Sequence, residues 1–253
     1  MKIKKLLFVL LSISLLSACE FSVRDNRGTE IKEKKVCFPF CPKIFQKKEN
    51  KSSVSFNVEQ EIYGEFTPEQ RDIYNAAISA NNMNDIQTAH TLIKQLAKQG
   101  VAQAQNDLGG IYLMEKNYQQ AKHWLELSAR QNHPMAQNNL GILYMNGWGV
   151  TKDYAKAKEY FELAAEKGYV MGHSNLGVMY FQGLFGERDC QKAKYHLELA
   201  VEKYNPVAQN LLGAMYAHGI CVRQDRGKGI AFLRQAAEQG NQVAKKNLKE
   251  MGL

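Results

Sequence analysis

The chain has 253 residues, 45% of them hydrophobic, and 33 Lys and Arg against 25 Asp and Glu give a formal net charge of +8. That length and apolar content suffice for a sizeable core, and no apolar run reaches the 18 residues of a membrane-spanning helix. The cations are dispersed and form no stripe interleaved with aromatics, which argues against nucleic acid as a partner.

The first residues read as an export signal. Lys2, Lys4 and Lys5 form a basic flank, an apolar run from Leu6 to Leu16 is broken only by Ser12 and Ser14, and Leu16-Ser17-Ala18-Cys19 follows. A run of this length behind a basic flank is the apolar part of a cleaved signal peptide. The L-S-A-C tetrad resembles the bacterial lipobox, in which cleavage precedes a cysteine that receives a diacylglyceryl group. That resemblance implies a signal peptide over residues 1–18 and lipidation of Cys19, an anchor that holds durably with two or three acyl chains. Glu20 follows, and in Gram-negative lipoproteins a residue other than Asp there implies the outer membrane, facing the periplasm. The alternative is an ordinary cleaved signal with a free Cys19.

Residues 19–66 are polar, mixed in charge and without helical period, as a flexible tether would be. From Glu20 to Phe66 nine Lys and Arg oppose eight Asp and Glu, so the mature chain is only mildly basic. Besides Cys19 there are four cysteines, Cys37, Cys41, Cys190 and Cys221, in keeping with an oxidising compartment. Of the three possible pairings we favour Cys37 with Cys41 and Cys190 with Cys221. A redox or metal role is the rival reading, but C-x-x-x-C is not the C-x-x-C of a thioredoxin site and no His stands near either tether cysteine.

Beyond the tether the chain repeats. Ala89 stands 15 residues before Ala104, as Ala121 does before Ala136 and Ala157 before Gly172, which predicts a helical hairpin over 67–100 with its first helix at about 68–82. Ala104, Leu108, Gly109 and Tyr112 begin a second unit over 101–133, with Ala121 and Ser128-Ala129 in its second helix. The phrase A-x-x-x-L-G-x-x-Y then recurs every 36 residues from Ala136, Gly172 and Ala208, in units over 134–168, 169–204 and 205–240. Leu140, Leu176 and Leu212, Gly141, Gly177 and Gly213, and Tyr144, Tyr180 and Tyr216 hold its fixed positions. These units carry longer inter-helix loops, such as Gly147-Trp148-Gly149-Val150. Residues 241–253 supply half a unit, a cap on the last apolar face. A period of 20 to 50 residues with two helices per unit means stacked hairpins that bury their apolar faces against neighbours.

The segment AQNNLGILYMNGWGVTKDYAKAKEYFELAAEKG, Ala136 to Gly168, resembles a Sel1-like repeat, a relative of the tetratricopeptide repeat whose longer loop carries G-x-G-V-x-x-D. The resemblance covers about Ala104 to Leu253 well and Thr67 to Gly100 weakly. The second long loop departs from it with Gly183-Leu184-Phe185-Gly186, and the third with Gly219-Ile220-Cys221-Val222. It implies an all-α, right-handed α-solenoid of about five helix hairpins behind a disordered tether, used as an adaptor for other proteins, often in exported bacterial proteins.

At 100° per residue, phrase positions 1, 5, 8, 9 and 12 share one side of the first helix, filled in one unit by Ala136, Leu140, Leu143, Tyr144 and Gly147. Gly147 and Gly149 suit turns of positive φ, and Asp153, Asp189 and Asp225 stand where an N-cap oxygen meets the second helix. Position 3 points away from that arc and supplies Asn106, Asn138, Ser174 and Asn210, a polar row. Position 10 supplies Leu113, Met145, Phe181 and Ala217, a partly apolar row. Together they suit peptide recognition; the competing reading packs position 10 against the next unit. Trp148 and Phe185 lie in inter-helix loops, where large aromatics act as contact anchors or tuck beneath their own loop.

No G-x-S-x-G, H-E-x-x-H or phosphate-cradling glycine loop occurs, so neither catalysis nor a cofactor or metal is expected. His196 takes the place held elsewhere by Tyr160 and Phe232 and reads as a core substitute, while His133, His173 and His218 read as surface variation. The expectation is a non-catalytic protein-protein interaction scaffold, lipid-anchored in the bacterial cell envelope, with an envelope factor or a secreted effector as partner. Two alternatives stand beside it: an immunity protein that neutralises a secreted toxic effector such as a lipase, and an envelope enzyme or ligand-binding protein acting on the cell wall or on β-lactams.

Overall fold

The computed structural model describes residues 66–253, together with two short strands, β1 (Phe21–Arg24) and β2 (Glu30–Glu33). The strands pair antiparallel, Phe21 opposite Glu33 and Arg24 opposite Glu30, within the segment read as a tether. Cys19, Cys37, Cys41 and the signal peptide lie outside the described residues.

From Phe66 onward the fold is all-α, eleven helices joined by tight loops. Five hairpins run in order: α1 (Pro68–Asn82) with α2 (Ile86–Lys98), α3 (Ala102–Met114) with α4 (Tyr118–Arg130), α5 (Pro134–Asn146) with α6 (Tyr154–Glu166), α7 (Val170–Gln182) with α8 (Cys190–Glu202), and α9 (Pro206–His218) with α10 (Arg226–Glu238). A short helix, α11 (Gln242–Glu250), closes the array. This is the α-solenoid class that a 36-residue period demands, since each hairpin covers its apolar stripe only against the next. By internal contacts the chain divides into two compact units, one ending at Ala136 and the other beginning at Gln137.

Local sequence sets the helix ends. Thr67 opens α1 in a capping box, its hydroxyl accepting from the Gln70 amide at 3.2 Å while the Gln70 side chain accepts from the Thr67 amide at 3.0 Å. Asp153, Asp189 and Asp225 cap α6, α8 and α10, each accepting the backbone amide three residues on. Gly183 and Gly219 terminate α7 and α9 in the left-handed region, at φ 69° and 68°, where a side chain would strain the backbone.

Each compact unit has its own core. In the first, Phe66, Tyr74, Ile93, Leu96, Leu108 and Ile111 pack together, with Tyr112 and Trp124 beside them. In the second, Phe161, Leu176, Met179, Leu197, Leu212 and Met215 are all but fully buried. The glycine after each phrase leucine is a contact point: a Cβ on Gly141 would lie 2.6 Å from the Phe161 ring, and one on Gly177 2.7 Å from Leu197 Cγ. The two helices of a hairpin approach so closely because that position carries no side chain. A disulfide joins Cys190, at the start of α8, to Cys221, in the loop after α9.

Candidate functional site

The first helix of a hairpin is enclosed from more than one side: α9 packs on α7, α8, α10 and α11. That corrects the reading of phrase position 3 as exposed, for Asn106, Asn138, Ser174 and Asn210 are buried, at 0 to 5% exposure. A single apolar arc predicts one buried face, but a helix covered by the preceding and following hairpins also buries its polar row. There Asn138, Ser174 and Asn210 fasten their hairpin to the element that follows. Asn175 donates to Asn138 at 2.8 Å and Asn247 to Asn210 at 2.9 Å, while the Ser174 hydroxyl donates to Asn205 at 3.2 Å. Asn106 donates to Asp107 at 3.2 Å. Phe181 is likewise buried, as is Ala217, and Met145 packs half-buried against the core. Position 10 thus follows the packing alternative, and neither row is a free binding face.

The loops between helices are different. Trp148 is half-buried and rests against the second unit's core, so part of its surface is spoken for. Phe185, in the corresponding loop of the next hairpin, is 39% exposed, its ring centroid 5.4 Å from that of Tyr180. Of the residues proposed to meet a partner, Phe185 has the best access.

A feature that sequence reasoning left unassembled joins this edge. In three successive hairpins the phrase tyrosine lies beneath a lysine from the first turn of the second helix and beside an aromatic one turn further on. Lys156 Nζ stands 4.7 Å over the Tyr144 ring, which stacks on Tyr160. Lys192 stands 5.3 Å over Tyr180, which stacks on His196. Lys228 stands 4.2 Å over Tyr216 and donates to its hydroxyl at 3.0 Å, with Phe232 alongside. The hydrogen bond to Tyr216 and the field of its oxygen hold the Lys228 ammonium above its ordinary pKa, and Tyr144 does the same for Lys156. Lys228 is therefore the partner of the Tyr216 hydroxyl and Lys156 that of Tyr144, while Lys192 meets Tyr180 through its ring.

Two histidines read as surface variation are instead half-buried and hydrogen-bonded. His173 Nδ1 lies 3.1 Å from His196 Nδ1, so one ring donates and the other accepts, and burial lowers both pKa values, that of His196 to about 4. His133 bonds Gln103 at 3.0 Å, and burial lowers its pKa to about 4. Gln103 in turn donates to Asp107, a buried carboxylate whose pKa is raised by burial to about 6 although Tyr74, Gln103 and Asn106 all donate to it. His123 is exposed, and its neighbour Glu126 pairs with Lys122 at 2.6 Å. Among the described residues no group of three or more metal-ligating side chains converges, and no helix is long and apolar enough to cross a membrane.

Comparison with known proteins places this architecture. The Sel1 repeat model matches residues 102–133, 134–169, 170–205 and 206–241. The chain belongs to the Sel1 repeat family. Similar solved structures include a Sel1 repeat protein from Oxalobacter formigenes, 27% identical, covering 75% of this chain and 80% of that one with a TM-score of 0.66. Another is c5321, a protective antigen of uropathogenic Escherichia coli strains displaying an SLR fold, 31% identical with a TM-score of 0.58. That alignment covers 69% of this chain but only 39% of c5321. A putative Sel1 repeat protein from Klebsiella pneumoniae shares the fold at 19% identity, covering 78% of this chain and 99% of that one with a TM-score of 0.53. No curated protein matches. Sel1 repeat proteins generally mediate protein-protein interaction, and their scaffold is typically non-catalytic.

Proposed function

We propose that this Sel1 repeat protein is a non-catalytic interaction scaffold held by a lipidated Cys19 in the bacterial cell envelope, at the outer membrane and facing the periplasm, where it binds an envelope factor. The observation that carries the interaction is the loop edge of the repeats, where Phe185 is exposed beside lysines laid on aromatic rings. Large aromatics are enriched in protein interfaces and commonly serve as their anchors. The envelope location draws on the basic flank, apolar run and Leu16-Ser17-Ala18-Cys19 of the sequence. The Cys190–Cys221 disulfide agrees with an oxidising compartment. A likeness to a protective antigen is in keeping with export.

Fractionation of cells carrying wild type and Cys19→Ser tests the anchor. The wild type is expected with the membranes and the variant in the soluble exported fraction; membrane association unchanged by the substitution refutes lipidation. Purification of wild type and Phe185→Ala from envelopes tests the interaction. Loss of a stoichiometric partner from the folded variant is expected, and full retention of that partner moves the interface elsewhere.

A further inference from the structure

From Gln137 onward the repeats are electrically polarised. One edge is formed by residues 147–159, 183–195 and 219–231, which comprise the inter-helix loops and the starts of α6, α8 and α10; there nine Lys and Arg stand against five Asp and Glu, a net of +4. The following stretches, residues 160–172, 196–208 and 232–244, run to the opposite edge and carry three against five, a net of −2; Glu162 and Glu198 among them pair with Lys158 and Lys194 of the basic edge, at 3.3 and 3.6 Å. Three of the five carboxylates on the basic edge, Asp153, Asp189 and Asp225, accept helix amides as N-caps, and Asp189 also pairs with Lys192 at 3.5 Å.

The cations on this edge are placed as well as numerous. Lys156, Lys192 and Lys228 stand over the phrase tyrosines, Arg188 lies 4.7 Å over Phe181, Lys152 lies 5.7 Å over Tyr154, and Lys158 lies 5.8 Å over Phe185. Lys152, Lys156, Arg188, Lys192 and Lys228 are exposed. A ring beneath a lysine or arginine holds its stem in place while its charged end stays in water, so less side-chain entropy remains to be lost when an anion arrives. Apolar side chains are interleaved in the same loops: Phe185 is exposed, and Trp148, Leu184 and Ile220 are half-buried.

We propose that this edge docks an acidic segment of a partner protein, one in which Asp or Glu side chains alternate with apolar ones. The inference rests on the interaction reading above and names the chemistry of its partner. A nucleic acid fits less well, because half-buried apolar side chains such as Leu184 and Ile220 interrupt the cations, whereas a nucleic acid presents a continuous row of phosphates. A peptide can set its carboxylates against the ring-backed cations and its apolar residues against Phe185 and its neighbours.

Fluorescence anisotropy with the purified full-length protein in detergent tests this. The probes are a fluorescein-labelled 15-residue peptide of Glu and Asp with leucine at about every third position, the same peptide with Lys for each acid, and a single-stranded oligonucleotide of equal length. We expect the acidic peptide to bind at least about tenfold tighter than the basic one and tighter than the oligonucleotide. Lys156→Gln with Lys192→Gln and Lys228→Gln should weaken it about tenfold or more. The matching Arg triple variant should retain binding, which separates lost charge from lost folding. Lys167→Gln with Lys203→Gln and Arg234→Gln removes the same charge from the opposite edge and should change affinity less than about twofold. Equal losses in the two Gln variants, no preference for the acidic peptide, or tighter binding of the oligonucleotide would overturn the inference. A partner retained in envelopes by the Lys-to-Gln triple variant, yet lost from Phe185→Ala, would sink the acidic-segment proposal and leave the scaffold reading standing.

Discussion

The Tyr74 hydroxyl donates to the buried Asp107 carboxylate at 2.7 Å and so ties α1 to α3. Asp107 occupies phrase position 4, where later units carry Asn139, Asn175 and Leu211, so its charge belongs to the first compact unit alone. Burial raises its pKa to about 6, above the 3.8 of an unfolded Asp. Between those values the folded chain binds the proton more tightly than the unfolded one, so stability falls as pH rises through that window. Wild type minus Asp107→Asn, measured as urea unfolding free energy, should decline by up to about 3 kcal/mol from pH 4 to pH 7. A difference that is flat with pH would mean that the carboxylate is ionised at no cost.

His173 and His196 should act in the opposite sense. Their folded pKa values lie below the ordinary 6.5, that of His196 at about 4. The unfolded chain therefore takes up the protons first, and stability is lost as pH falls from 6.5 towards 4. His196→Phe restores the ring that Phe232 supplies in the next unit and keeps an aromatic stacked on Tyr180. The variant should melt higher than wild type at pH 5, with a smaller difference at pH 7.5. An equal difference at both pH values would remove the histidine pair from any pH response.

The Cys190–Cys221 bridge closes a loop with a sequence separation of 31 and links the start of α8 to the loop after α9. Restricting the unfolded chain over such a loop is worth roughly 3 to 4 kcal/mol. Reduction, or Cys190→Ser with Cys221→Ser, should lower the melting temperature of the C-terminal hairpins, and non-reducing peptide mapping should recover the two peptides joined. Free thiols at both positions in protein taken from the envelope would contradict the pairing.

Two glycines should respond oppositely to alanine. A Cβ on Gly177 would lie 2.7 Å from Leu197 Cγ in the core, whereas one on Gly227 meets nothing nearer than Asp225 Oδ1 at 3.6 Å. Gly177→Ala should destabilise by about 1 to 3 kcal/mol through overpacking. Gly227→Ala, on the exposed first turn of α10, should be neutral or stabilise by up to about 1 kcal/mol. Chemical unfolding midpoints decide it, and equal effects would show that hairpin packing does not set the glycine.

The array was legible because a period of 36 residues states the architecture, and the phrase leucines, glycines and tyrosines mark its contacts directly. The polar residues were not legible. Helical spacing distinguishes faces of one helix, but Asn138 and Asn210 bond Asn175 and Asn247, 37 residues further on, across the helices that follow. His173 looks dispensable on its own helix, and only the packing of α7 on α8 sets it against His196. Phe185 was found because loops have fewer ways to bury a ring, while Trp148, in an equivalent loop, is half-covered by the core. The lysine over each phrase tyrosine was visible as a repeated residue, and only the structure shows what it repeats for.

The most direct test of the interaction account places a photo-crosslinking amino acid at position 185 and, in a separate strain, at position 204. Phe185 is 39% exposed on the loop edge, and Tyr204, 75% exposed, lies on the opposite edge between α8 and α9. Irradiation of living cells should join position 185 to one defined envelope protein in a discrete adduct absent from position 204. No adduct at 185 beyond that at 204, with the protein folded and expressed at its normal level, would contradict a binding surface on the loop edge.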